Sequence, residues 1–279
     1  MKLYRLVSWI LASLLLFSCA NTSEPPPGEP QPAQRAPTPS PGTRETSQRA
    51  AGTSQRAAEN YVIPDAPPRP ANSRGRVLFL GDSFSVGAFG RTFDQALRNA
   101  GFEVYTSVAG GGSPYYWLSA YPPVSIDITY WERTPSSQRR LRSISAVPKL
   151  ETLMAKWQPD IVVVQTGTNL YASLRSSRRS KEANVREVES LVSKMGRAIS
   201  AGGARCFWIT PPSASTNTYP QELQDEMLAI TRRAVSPYGR IFDSYAVTER
   251  PTGSDGIHLG PSKARAWAQR AASDFIATH

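Results

Sequence analysis

The sequence predicts an α/β domain in which a parallel sheet of five strands lies between two layers of helices. Two observations support this fold class. Short apolar runs, rich in β-branched residues, alternate along the chain with longer segments of helical periodicity. Strands that are separated by helices pair in parallel, and the connecting helices then cover both faces of the sheet. The 279 residues, of which 40% are hydrophobic, are sufficient for one such domain.

Five short apolar segments are the predicted strands. The third is the clearest, because its centre is the uninterrupted run Val162, Val163, Val164, which is typical of a strand buried on both faces. The first ends at Gly81, where a sharp turn into a helix is expected. The predicted strands are residues 76–81, 103–108, 160–165, 204–209 and 240–242.

Four segments between and after these strands have the apolar periodicity of a helix. Residues 92–100 end before Gly101, and residues 182–200 end before two glycines, both common helix stops. The third segment is residues 222–235, and the last begins at Pro261. Parallel sheets of this kind bind ligands beyond the carboxyl ends of their strands.

The N-terminus has the pattern of a bacterial export signal. Lys2 and Arg5 precede an apolar run, residues 6–17, that is short for a membrane span and ends in Ser18-Cys19. This resembles a bacterial lipobox, which implies a lipoprotein-type signal peptide over residues 1–19 and lipidation of Cys19. By the sorting pattern of Gram-negative bacteria, Ala20 implies an anchor in the outer membrane that faces the periplasm. An ordinary signal peptide or an uncleaved anchor are the alternatives.

Residues 20–71 are predicted to form a disordered tether, and residues 72–279 the folded domain. The tether is rich in Pro, Ser, Thr and Gln and has almost no large apolar residues before Tyr61. Such a composition buries too little apolar surface to offset the entropy lost on ordering. A repeat, TSQRAA, occurs twice in it and does not indicate a solenoid.

The composition excludes several classes of protein. Two cysteines and two histidines are too few for a disulfide scaffold or a Cys/His zinc site, and no metal or cofactor is expected. Cys206 lies within a predicted strand and is interpreted as a buried apolar residue. Two of the ten net positive charges lie on residues 1–19 and none on 20–71, so eight lie on the domain. An exported chain has no expected nucleic-acid partner.

Three short motifs follow the first three predicted strands. Gly81-Asp82-Ser83 places a serine on a strand-to-helix turn, where its hydroxyl is accessible and its N–H begins a helix. A glycine run, residues 110–112, allows a ligand to approach the backbone closely. Asn169 carries an amide that can donate to a developing negative charge. Each motif alone is also compatible with an ordinary turn.

A fourth motif, Asp255-Gly256-Ile257-His258, precedes the last helix. A spacing of three residues in a loop lets the carboxylate orient the imidazole and stabilise its protonated form. The second histidine, His279, is the last residue of the chain. A mechanism that uses a histidine base therefore points to His258.

Together the four motifs resemble the SGNH, or GDSL-type, serine hydrolase family over residues 76–277. The order matches, with one departure: Phe84 stands where the family name has Leu. The resemblance implies a flavodoxin-like three-layer α/β/α sandwich with a parallel five-stranded sheet. It also implies a triad of Ser83 as nucleophile, His258 as base and Asp255 as its orienting group. The implied oxyanion hole comprises the N–H groups of Ser83 and Gly110, chosen over Gly111 by the family's spacing, and the Asn169 amide.

The expected function is that of an exported esterase that removes O-acetyl groups from cell-wall or other exported polysaccharide. The alternatives are an O-acetyltransferase on the same glycans, a lipid esterase, and a glycan-binding protein whose triad would be idle. Six aromatic residues in the long segment 113–148 either stack on sugars or pack the segment down. Two arginine-rich stretches, residues 139–142 and 175–181, are either a solvated surface or attract an anionic polymer.

Overall fold

The computed structural model describes residues 63–124, 129–144, 146–251 and 255–279. Seven strands and eight helices follow one another in this part of the chain. The first half comprises β1 (Gly75–Gly81), α1 (Ser83–Val86), α2 (Ala88–Asn99), β2 (Phe102–Ala109), α3 (Pro114–Trp117), β3 (Tyr130–Arg133), β4 (Gln138–Leu141) and α4 (Leu150–Trp157). The second half comprises β5 (Ile161–Gln165), a short 3₁₀ turn (Thr168–Leu170), α5 (Tyr171–Leu174), α6 (Lys181–Ala201), β6 (Arg205–Ile209), α7 (Gln221–Val235), β7 (Gly239–Phe242) and α8 (Pro261–Thr278).

The strands form one sheet in the order β4-β3-β2-β1-β5-β6-β7. Five neighbouring strands are parallel, as the sequence predicts: β2, β1, β5, β6 and β7. The sheet itself has seven strands rather than five, because the antiparallel hairpin of β3 and β4 extends it beyond β2. This hairpin belongs to the segment 113–148, for which the sequence predicts no strand.

Two apolar cores lie on opposite faces of the sheet, because successive residues of a strand point to opposite sides. Leu78 and Leu80 of β1 pack in the core under α4, α6 and α7. Val77 and Phe79 pack in the core under α2 and α8. The expected three-layer α/β/α arrangement is thereby confirmed.

The folded domain begins earlier than residue 72. Ile63 is buried in the first core. The N–H of Ala66 donates to the carbonyl of Lys156 at 3.0 Å, and Arg69 pairs with Asp160 at 2.7 Å. The prediction that the tether continues to residue 71 is wrong at its C-terminal end, because a few apolar and ionic contacts hold a segment whose composition alone indicates disorder.

The predicted signal peptide, the lipidation site Cys19 and the tether up to residue 62 lie outside the described residues. Within the described ranges, no helix is both long enough and apolar enough to cross a membrane. Cys206 is buried in β6, as expected, and its burial raises the pKa of its thiol to about 12. A thiol that stays protonated is a poor nucleophile, so the structure supports the apolar role of Cys206.

Candidate active site

The motifs converge on the carboxyl edge of the sheet, called here the catalytic edge. Gly81, the last residue of β1, pairs with Val108 of β2 on one side and with Gln165 of β5 on the other. The segments that follow these three strands therefore leave the sheet side by side. This is the position at which parallel α/β sheets bind ligands.

The turn after β1 is fixed by Asp82. Its Oδ1 accepts a hydrogen bond from the N–H of Phe84 at 3.0 Å and so caps α1. Burial raises the pKa of Asp82 to about 7, against the opposing effect of the Phe84 hydrogen bond. Asp82 is fully buried, so it braces the turn. Ser83 begins α1 and is half-buried.

Ser83, His258 and Asp255 form a continuous hydrogen-bonded chain. The Ser83 Oγ lies 2.9 Å from Nε2 of His258. The other ring nitrogen, Nδ1, lies 2.6 Å from Oδ2 of Asp255. The structure thus brings together the three residues that the resemblance implies, although Ser83 and His258 are 175 positions apart in the chain.

The protonation state of Asp255 determines the tautomer of the imidazole. Partial burial raises the pKa of Asp255, but hydrogen bonds from the backbone N–H groups of Ile257 and His258 and from the imidazole outweigh it and lower the pKa to about 2. An ionised carboxylate can only accept, so Nδ1 of His258 carries the proton. The lone pair of Nε2 then faces the Ser83 hydroxyl and can take its proton.

Phe84 supports the imidazole from one side. The two ring centroids lie 4.9 Å apart at an interplanar angle of 44°. Phe84 is itself held by an edge contact with Trp267 of α8, at 5.6 Å between centroids. The departure from the family's Leu therefore places an aromatic ring against the candidate base, where its packing limits the motion of the imidazole.

A second segment, residues 213–219, braces the loop that carries Asp255 and His258. The Ser215 N–H donates to the Gly256 carbonyl at 2.8 Å, and the Thr218 hydroxyl donates to the Asp255 carbonyl at 3.3 Å. Gly256 has φ +63°, and a β-carbon there would come within 2.3 Å of Thr218 Oγ1. Sequence reasoning missed this segment because its contacts join positions that are far apart in the chain, 37 apart for Thr218 and Asp255.

Asn169 lies in the short turn after β5, the strand that pairs with β1. Its Nδ2 donates to the carbonyl of Gly112 at 3.1 Å, and the Thr166 hydroxyl donates to the same carbonyl at 2.7 Å. Gly112 packs so closely against β1 that a β-carbon there would lie 2.8 Å from the Gly81 carbonyl. The glycine run is thereby fixed against the turn of Ser83. Asn169 keeps one amide hydrogen for a ligand.

The predicted role of Gly110 requires a correction. Its N–H donates to the carbonyl of Thr129 at 2.8 Å, where β3 begins, and is therefore not available to an oxyanion. Within the described ranges, the N–H groups of Ser83 and Gly111 have no acceptor. The structure accordingly favours Gly111 as the glycine that supplies the backbone donor. The carbonyl that accepts from the Gly110 N–H lies at the start of the β3–β4 hairpin, which the sequence does not predict.

The aromatic residues of the segment 113–148 divide into two groups. Trp117, Tyr130 and Trp131 are buried and pack the segment onto the domain. Tyr116 is half-buried, and a β-carbon at Gly111 would come within 2.9 Å of its hydroxyl. Tyr116 is thus a site residue that the sequence reveals only as one member of an aromatic set.

Comparisons with known proteins bear on the fold. One solved structure aligns with a TM-score of 0.51 at 12% identity, over 73% of this chain and 97% of that chain. An acetyl xylan esterase aligns with a TM-score of 0.48 at 14% identity, over 71% and 98% of the two chains. A GDSL-like lipase from Bacteroides thetaiotaomicron also aligns with a TM-score of 0.48 at 14% identity, over 85% and 97%. No family model and no curated protein matches the chain.

The fold is a three-layer α/β/α sandwich, and a solved structure of low sequence identity shares it. The site on its catalytic edge combines a hydroxyl, an imidazole and a carboxylate in hydrogen-bonded series. On the adjoining turns lie donors that have no acceptor among the described residues. This set of groups is suited to acyl transfer through a covalent serine intermediate.

Proposed function

We propose that this protein is an exported serine esterase of the SGNH type that removes O-acetyl groups from cell-wall or other exported polysaccharide. The observation that supports it most is the hydrogen-bonded series from Ser83 Oγ through His258 to Asp255, with distances of 2.9 and 2.6 Å. A glycan-binding protein has no need of this geometry. The proposal of export rests on the sequence of residues 1–19.

In the proposed mechanism, Ser83 Oγ attacks the carbonyl carbon of the ester while its proton passes to His258 Nε2. The carbonyl oxygen becomes an oxyanion, which accepts hydrogen bonds from the N–H groups of Ser83 and Gly111 and from the Asn169 amide. The imidazolium then protonates the departing sugar oxygen, which leaves an acyl-serine. Water attacks the acyl-serine, with His258 again as base, and releases acetate.

A glycan as the substrate agrees with the surroundings of the site. Tyr115 and Tyr121 contact each other edge to face, at 4.8 Å between centroids, and both are half-exposed. Tyr116, whose hydroxyl lies close to Gly111, places aromatic surface and a hydroxyl group next to the glycine run. Aromatic residues with a few polar groups are typical of the lining of ligand sites.

The proposal is tested by hydrolysis of p-nitrophenyl acetate, butyrate and octanoate by the parent and by Ser83→Ala. We expect the acetate ester to be cleaved fastest, and the variant to lose activity by a factor on the order of 10⁴. A preference for octanoate would favour a lipid esterase instead. Acetyl transfer to a sugar acceptor, in place of acetate release, would favour the acetyltransferase.

A further inference from the structure

A cavity of about 350 Å³, called here the arginine pocket, lies at the end of β4. It is lined by Thr129, Arg140, Leu141 and Arg142. Its volume is in the range of pockets that bind small ligands or single groups of larger ones. Among the described residues, the lining contains two arginines and no acidic residue. The chemistry of the pocket is therefore that of an anion site.

The arginine pocket lies on the catalytic edge of the sheet. Gly81, Val108, Trp131 and Arg140 form one row across β1, β2, β3 and β4. Adjacent strands are about 4.8 Å apart, so three steps place the Arg140 backbone roughly 14 Å from Gly81. Strand β4 runs parallel to β1 and therefore ends at the same edge. Arg142, two residues beyond Arg140, extends past the edge as Ser83 does.

The arginine pocket is also connected directly to the glycine run. Thr129 forms part of its lining, and the carbonyl of Thr129 accepts the hydrogen bond from the N–H of Gly110. The next residue, Gly111, carries the N–H that the proposed mechanism assigns to the oxyanion. A substrate chain that fills the arginine pocket is thus only a short distance from the reacting ester.

Among the residues that the structure describes, Arg140 and Arg142 differ from their neighbours in having no acidic partner. Arg139 pairs with Glu132 and Arg133 pairs with Asp94. In contrast, Arg140 and Arg142 are exposed and form no ion pair with any described residue. Arginine without a carboxylate partner presents a planar set of donors that suits a carboxylate or phosphate group.

Positive charge also lies on the other side of the triad. Arg175 donates to the Thr218 carbonyl at 3.4 Å and packs over the ring of Tyr219. Thr218 in turn contacts Asp255, so Arg175 lies two contacts from the candidate triad. Arg175 has no carboxylate partner within the part of the chain that the structure describes. Basic groups on both sides of a cleft attract and orient an anionic chain.

We propose that the substrate is an acidic polysaccharide, and that the arginine pocket binds a negatively charged group of the same chain that carries the ester at Ser83. This inference rests on the proposed function and specifies its substrate class. The charged group is a carboxylate or a phosphate, which Arg140 and Arg142 recognise through the same geometry. A neutral acetylated glycan would reach Ser83 without this interaction.

The test separates binding from hydrolysis. Calorimetry measures the binding of a non-acetylated oligogalacturonate, of a glycerol-phosphate oligomer and of a neutral xylo-oligosaccharide to the parent, Arg140→Gln, Arg142→Gln and the double variant. Arg205→Gln, a loss of the same charge at the amino end of β6, is the matched control. Circular dichroism verifies that each variant is folded. Hydrolysis of p-nitrophenyl acetate by the parent is measured separately, so failure of the esterase proposal is distinct from failure of this one.

We expect the parent to bind at least one of the two anionic oligomers more tightly than the neutral xylo-oligosaccharide. Tighter binding of the oligogalacturonate would identify a carboxylate as the charged group, and tighter binding of the glycerol-phosphate oligomer would identify a phosphate. Each single substitution should weaken that binding up to about fivefold, the range of an exposed charge pair, and added salt should weaken the parent likewise. Arg205→Gln should bind as the parent does. Equal binding of acidic and neutral chains would overturn the proposal. An equal effect of Arg205→Gln would overturn it too.

Discussion

Replacing Gly256 by alanine tests whether the brace on the triad loop matters for catalysis. Gly256 has φ +63°, where an alanine costs roughly 1–2 kcal/mol of backbone strain. Its new β-carbon would also lie 2.3 Å from Thr218 Oγ1 and 2.9 Å from Ser215 Cβ. Both contacts are too close, so the loop or its brace must move. Asp255 directly precedes Gly256 and His258 follows it by two residues, so both would move with the loop.

Alanine substitutions at two other glycines distinguish the effect of backbone strain from the effect of displacing the triad loop. Gly203 has φ +83°, and no atom lies within 4 Å of the position that a β-carbon would take. Gly203→Ala therefore introduces backbone strain without a steric clash. Gly260, two residues after His258, has an ordinary φ of −57° and the same open space. Strain of about 1–2 kcal/mol should lower the Tm of Gly203→Ala by about 2–8 °C. Gly260→Ala should leave kcat unchanged and lower the Tm only slightly, because Gly260 is the N-cap of α8, where alanine is less favourable than glycine.

The assay is kcat on p-nitrophenyl acetate, measured for folded variants below their Tm. A displacement of about 1 Å in a catalytic group costs on the order of 10²-fold in rate, which is the expected loss for Gly256→Ala. Gly203→Ala should keep the parent's kcat. A folded Gly256→Ala protein with kcat within about twofold of the parent would show that the brace does not position the triad.

Three further predictions concern other groups. Asn169→Ala should lower kcat by about 10²–10³ with little change in KM, because the oxyanion that the amide contacts exists only in the transition state. A rise in KM as large as the fall in kcat would indicate a role in substrate binding instead. Burial raises the pKa of Asp82 from 3.8 to about 7, so its contribution to stability is complete below about pH 4 and is lost as the pH rises to about 7. The Tm of Asp82→Asn should therefore fall less between pH 4 and pH 8 than the Tm of the parent. An equal fall in the Tm of both proteins would contradict the raised pKa of Asp82. Cys19→Ser should release the protein from membrane fractions, and undiminished retention would argue against a lipid anchor.

The parts of the fold that local sequence patterns determine were predictable. The valine run of β5 and the apolar face of α6 give the periods of a buried strand and an amphipathic helix, and both elements lie where they were expected. Strand β4 gives no such signal, because its four residues, Gln138–Leu141, are all exposed or half-exposed. Its pairing with β3 depends on contacts across the sheet edge.

The same distinction holds at the candidate site. Ser83, Asp255 and His258 stand in short motifs of distinctive residue types, and the alternation of strands and helices indicates that their loops share one edge. The choice between Gly110 and Gly111 depends on which N–H the distant Thr129 carbonyl occupies. Likewise, nothing in the local sequence of Thr218 reveals its contact with Asp255. These features of the site therefore depend on hydrogen bonds between distant parts of the chain, which the short motifs do not reveal.

Covalent labelling with a fluorophosphonate tests the central claim, that Ser83 is a nucleophile activated by His258, most directly. The parent is incubated with the reagent, and the adduct is located by mass spectrometry of the intact chain and of its peptides. We expect one adduct per chain, on Ser83, none on Ser83→Ala, and labelling of His258→Ala that is slower by a factor on the order of 10³ or more. An adduct on another residue, or a parent that cleaves p-nitrophenyl acetate without any label on Ser83, would contradict the account.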